Sequence, residues 1–122
     1  KQPYVLDLAT ATWSIQTYAA SAEKANVEAL KIAPGMIYDP VTDKFLLKPR
    51  EGGKVIVVDP VTLACTQLAA TNSASVPEGF ILGAGGQNEE EGVYSRWLLA
   101  PALGGAVFVP KGAANVWFLR LY

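Results

Sequence analysis

The pair of side chains best suited to hold a ligand is Tyr94 and Arg96, a phenol and a guanidinium two positions apart at the entrance to the apolar run Trp97-Leu98-Leu99-Ala100. Such a pair can grip a carboxylate through charge-assisted hydrogen bonds or stack on a sugar ring. The alternative role of Arg96 is structural, as a donor to carbonyls of neighbouring loops. Gly83-Ala84-Gly85-Gly86 has the glycine content of a phosphate cradle, but it lacks the Lys-Ser/Thr of a P-loop. Glu89-Glu90-Glu91 follows closely and would repel phosphate, so a surface loop is expected. The same three carboxylates are too close in sequence to converge on one Ca²⁺, and no Asp-x-Asp spacing supports them.

Elsewhere the chemistry is sparse. The chain contains no His, which removes the usual general base, the commonest metal ligand and any Ser-His-Asp or Cys-His site. The single Cys65 has no internal partner; Leu63, Ala64, Leu68 and Ala69 around it mark a small apolar core thiol. Arg50-Glu51, before Gly52-Gly53, reads as an exposed loop tip. No catalytic group, metal or cofactor is expected in this chain. The ligand-binding candidates are Tyr94 and Arg96.

Bulk composition narrows the partners. Apolar residues make up 51% of the chain and charged ones 17%, so it forms a core and is not a disordered tail. A net charge of −1 leaves no basic stripe for phosphate contacts, and nucleic acid is not expected as a partner. The longest apolar runs, such as Val55-Ile56-Val57-Val58, fall far short of the roughly 20 residues of a membrane span, so no membrane partner is expected either.

The elements that position these residues are set by a repeat. Asp39-Pro40-Val41-Thr42 recurs as Asp59-Pro60-Val61-Thr62, and more loosely as Asp7-Leu8-Ala9-Thr10. Proline at the second position presets φ for a type I turn, and the preceding Asp accepts from a backbone N–H two residues on. Apolar segments flank each copy, so each is read as a hairpin. A shift of 62 residues lays Leu99–Val109 over Ile37–Leu47, with Pro101 and Gly104-Gly105 replacing the Asp-Pro chemistry; a shift of 61 lays Val116–Leu119 over Val55–Val58.

Nine short strands follow, near 4–8, 12–18, 35–39, 44–48, 55–59, 64–69, 96–100, 106–109 and 115–121, grouped as two, four and three. Trp13, Trp117, Tyr38, Phe45 and Phe108 fall inside them and are expected to pack between sheets. Residues 19–33 suit either a loop helix ended by Pro34-Gly35 or an irregular outer strand.

With those motifs in place, the chain resembles the kelch-like, galactose-oxidase-type β-propeller repeat of many secreted bacterial and fungal proteins. The matching segments are Pro34 to Phe45, Gly52-Gly53, Val57 to Thr62, Tyr94 to Leu103 and Asn115 to Leu121. The resemblance implies an all-β fold of tandem four-stranded antiparallel blades. Residues 1–18 would end one blade, 35–69 form a complete blade, and 94–122 form an incomplete last blade. Propellers have at least four blades, and about two and a quarter are expected here. The chain is therefore read as a C-terminal piece of a larger propeller, or as a subunit that several copies complete.

The resemblance also implies an extracellular setting. The copper site of galactose-oxidase-type enzymes uses His, so that activity is not expected here. The expected function is non-catalytic binding or scaffolding, with carbohydrate or protein as ligand. The alternatives are membership of a larger carbohydrate-active or oxidase-type enzyme whose catalytic groups lie elsewhere, and a self-assembling homo-oligomer of blades.

Overall fold

The structure, a computed structural model, describes residues 2–30, 34–49, 54–68, 97–109 and 115–122. It is mostly β, in antiparallel sheets, with little helix. All nine expected strands are present: β1 (Tyr4–Asp7), β2 (Thr12–Ile15), β3 (Gly35–Asp39), β4 (Lys44–Lys48), β5 (Ile56–Val58), β6 (Cys65–Gln67), β7 (Trp97–Ala100), β8 (Gly105–Phe108) and β9 (Trp117–Arg120). They form an N-terminal hairpin β1-β2, a central sheet β3-β4-β5-β6 and a C-terminal sheet β7-β8-β9. Between β2 and β3 the helical alternative holds, but only as the five-residue α1 (Lys24–Glu28).

Alternation along each strand sorts the central sheet into two apolar faces. Ile37, Leu46 and Val57 stand opposite one another across β3, β4 and β5. This front face packs on the C-terminal sheet, and its core includes Trp97, Ala106 and Phe108. The back face carries Leu47, Ile56, Val58 and Cys65 and is covered by Val27 of α1, with Tyr18 and Leu30 beside it. A strand apolar on both faces is the signature of a sheet buried on both sides, which is why Val55–Val58 reads as a continuous run.

The repeat has a single register. Trp97 pairs with Phe108, Leu98 with Val107 and Leu99 with Ala106, as Met36 pairs with Leu47, Ile37 with Leu46 and Tyr38 with Phe45. Ala106, Val107 and Phe108 then pair with Leu119, Phe118 and Trp117, as Phe45, Leu46 and Leu47 pair with Val58, Val57 and Ile56. Every pair is therefore related by 61 residues. The 62-residue shift expected for the first hairpin is corrected by one, and in a period-two structure that one residue exchanges the faces. The N-terminal hairpin matches β5-β6 in the same way at a shift of 52, with Leu6 facing Trp13 as Val58 faces Cys65.

One backbone device closes the β1–β2, β3–β4, β5–β6 and β7–β8 hairpins. Ala11, Asp43, Leu63 and Gly104 have φ of 52°, 54°, 57° and 68°. Each is the fourth residue after Asp7, Asp39, Asp59 and Ala100, so a left-handed residue brings each chain back into register. Glycine reaches that region freely, whereas alanine and leucine are strained there. Ala11→Gly is accordingly expected to stabilise the fold by up to about 1 kcal/mol in urea unfolding, with the same change at a right-handed position giving no gain.

The two large sheets are joined by Trp97. Its side chain is almost wholly buried and its Nε1–H donates to the Leu46 carbonyl at 3.2 Å, across the interface. Its ring meets Phe108 edge-on at 6.4 Å. Phe108 also faces the Lys48 ammonium at 5.1 Å. Lys48 is buried, and its Nζ donates to the Pro49 carbonyl at 2.9 Å. Trp97→Ala is expected to destabilise the chain by about 3–5 kcal/mol, and Trp97→Phe by clearly less, measured by thermal and urea unfolding.

Candidate functional site

Antiparallel order places the β3–β4 turn and the β5–β6 turn at one end of the central sheet. Asp39 and Asp59 therefore share a common rim. Their carboxylates, like that of Asp7, accept from donors of their own turns. Asp39 is buried; one of its oxygens accepts from the Val41 N–H at 3.1 Å and the other from the Thr42 hydroxyl at 2.6 Å. Asp59 accepts from the Val61 and Thr62 N–H groups at 2.9 and 2.8 Å, and Asp7 from those of Ala9 and Thr10. The Asx-turn expectation holds in all three.

A salt bridge ties the two turns. Lys44 Nζ lies 3.0 Å from the second oxygen of Asp59, both side chains half-exposed. The Thr62 N–H, the Lys44 ammonium and the Val61 N–H hold the Asp59 carboxyl far below the usual carboxylate range. Asp59 thus binds its proton more weakly folded than unfolded, so it contributes stability above the ordinary carboxylate pKa that is lost as pH falls below about 4. Asp59→Asn is expected to flatten the acid limb of a stability–pH curve taken by urea unfolding from pH 7 to 2.

Tyr38 sits beside this rim on the back face. Its ring packs tilted against Phe45 at 5.5 Å while its other side is open to solvent, and its hydroxyl donates to Asp43 at 2.8 Å. That hydrogen bond, more than any other cause, raises the phenol pKa. Tyr38 was expected to pack between sheets, and it does not. Trp13 departs likewise: the hairpin that carries it is exposed along almost its whole length. Phe108 is buried as expected, and Phe45 and Trp117 are partly so.

A second polar group covers the outer edge of β6. The Ala19 and Glu23 N–H groups donate to the Leu63 and Cys65 carbonyls, and the Cys65 N–H donates to Ser21 Oγ. These contacts occupy a strand edge that would otherwise invite pairing. The largely buried Glu23 carboxylate accepts from Asn26 Nδ2 at 2.7 Å and pairs with Lys54 at 3.2 Å. The Asn26 bond is the main cause of its lowered pKa. Cys65 is a buried free thiol within the apolar back core, as its neighbours indicate, and burial raises its pKa.

The sequence candidates Tyr94 and Arg96, with Gly83–Gly86, Glu89–Glu91 and Arg50-Glu51, lie outside the described residues. The described strand β7 begins at Trp97. Among the described residues no three His, Cys, Asp or Glu side chains are grouped to hold a metal, and no helix is long and apolar enough to cross a membrane. The groups that sequence reasoning missed are the Tyr38–Asp43 pair and the Glu23–Lys54 pair. Alternation does place Tyr38 on one face with Phe45, so the first was within reach. The second joins residues with no periodic relation. Comparison with protein-family models, with curated proteins and with solved structures found no match to this chain.

Proposed function

We propose that the central and C-terminal sheets are consecutive blades of a kelch-like propeller, and that the chain is a non-catalytic binding or scaffolding segment working in an extracellular setting. Its ligand is a carbohydrate or a protein, taken at the turn rim. The blade reading is supported by two antiparallel meanders with one register, packed face to face and turned by the same four-residue loop. The observation that carries the binding reading is Tyr38: a half-exposed ring at the rim with its hydroxyl anchored on Asp43. An open aromatic face beside a fixed carboxylate acceptor suits the apolar face and hydroxyls of a sugar, or a polar protein surface. The neighbouring Asp39 and Asp59 carboxylates are consumed by turn donors, which favours a structural role for them over proton transfer.

The test is affinity electrophoresis of the chain through gels loaded with a panel of soluble polysaccharides. Retardation by at least one of them, weakened about tenfold by Tyr38→Ala, is the expected outcome for a carbohydrate ligand, in line with about 1.4 kcal/mol for one ring contact. Retardation unchanged by Tyr38→Ala would remove the rim as the site.

A further inference from the structure

The packing of the central sheet on the C-terminal sheet is directional. The front face of one, Ile37, Leu46 and Val57, lies on the back face of the other, Trp97, Ala106 and Phe108. Moving by the 61-residue register carries Ile37, Leu46 and Val57 onto Leu98, Val107 and Phe118. The C-terminal sheet therefore repeats the same front face on its far side, and there it is uncovered. Leu98 is 56% exposed and Phe118 45% exposed, with Val107 half-buried between them. The Phe118 ring lies against Gly105, where an added Cβ would come within 2.6 Å of it, so the missing side chain makes room for the ring.

The other end of the chain offers the complementary surface. The 52-residue register makes Tyr4, Leu6, Trp13 and Ile15 the back face of the N-terminal hairpin, as Ile56, Val58, Cys65 and Gln67 are of the central sheet. All four are apolar. Tyr4 is 65% exposed, Trp13 64% and Ile15 57%. The C-terminal sheet thus carries an open front face and the N-terminal hairpin an open back face. In the latter, Tyr4 and Leu6 correspond to Trp117 and Leu119, the β9 residues that pack against the internal contact.

We propose that the front face of the C-terminal sheet docks on the back face of the N-terminal hairpin of a second copy of this chain, so that copies associate head to tail. Contacts of this kind join unlike patches and extend into a ring where the rotation closes. Burying Trp13, Tyr4 and Phe118 supplies aromatic anchors at the centre of the contact. This inference rests on the packing of the two sheets and not on a ligand at the Tyr38 rim. A chain that binds no polysaccharide still associates, and Tyr38→Ala leaves its mass unchanged.

The experiment is light scattering on a sizing column at about 100 µM, where a small apolar interface of micromolar strength is populated. The wild-type chain is expected at twice the mass of one chain or more. Trp13→Asp and Phe118→Lys should each be monomeric, because each lacks one half of the contact. Mixed in equal amounts they should recombine to the mass of two chains, through the intact front of the first and the intact back of the second. Leu98→Lys, on the same face but away from Gly105, substitutes for Phe118→Lys if circular dichroism shows that variant unfolded. A monomeric wild type overturns the proposal and leaves the face to a sheet outside this chain. A Trp13→Asp variant that stays multimeric while Phe118→Lys dissociates overturns it in favour of a front-to-front dimer. Two monomeric variants that fail to recombine overturn it as well.

Discussion

The buried indole of Trp97, donating across the sheet interface to the Leu46 carbonyl, is the contact on which the arrangement of this molecule depends. It brings the first residue of β7 against the middle of β4, and so sets both the distance between the sheets and their relative slide. An indole fills a large volume and its N–H needs an acceptor when buried. The Leu46 carbonyl meets that need, and Phe108 fills the space on the other side of the ring. The ammonium of Lys48 can then lie in an apolar interface because it faces an aromatic ring and a carbonyl. Leu46, Val55 and Ala106 are buried in the same core as Trp97.

Given that interface, the turns explain why one pattern repeats with different residues. Each of these four-residue turns needs its early donors satisfied and a left-handed fourth residue. The Asp-Pro-Val-Thr turns meet the first need with a carboxylate and the second with strained Asp43 or Leu63. The last hairpin reverses the emphasis. Pro101 opens a short 3-10 turn and Gly104 supplies the left-handed residue without strain. An added Cβ at Gly104 would also come within 3.1 Å of the Tyr122 carbonyl, so glycine serves two constraints there. The backbone path is kept while the chemistry changes, which is why the fourth hairpin hardly resembles the first three in sequence.

Strand identity was legible because turn chemistry and period-two alternation are local. Asp-Pro-Val-Thr marks two reversals and Asp7-Leu8-Ala9-Thr10 a third, and the runs between them read as strands. The true register of the third unit was harder to read. Aligning Leu99 with Ile37 matches apolar with apolar, and only the pairing of Trp97 with Phe108 shows that Leu98 takes the Ile37 place. Tyr38 and Trp13 were misplaced for a related reason: a strand aromatic tells that a face is apolar, but not whether another sheet covers it. The Glu23–Lys54 pair bridges the start of α1 and the approach to β5, and no local rule foretells a contact of that span.

The central claim, that the front of the central sheet lies on the back of the C-terminal sheet through Trp97, is tested most directly by proton NMR of the intact chain. The account predicts nuclear Overhauser contacts from the Trp97 indole N–H to Leu46 and from the Trp97 ring to Phe108, with the Lys48 side-chain methylenes shifted upfield by the Phe108 ring. An indole N–H that exchanges freely with solvent, with Lys48 at its random-coil shifts, would contradict it.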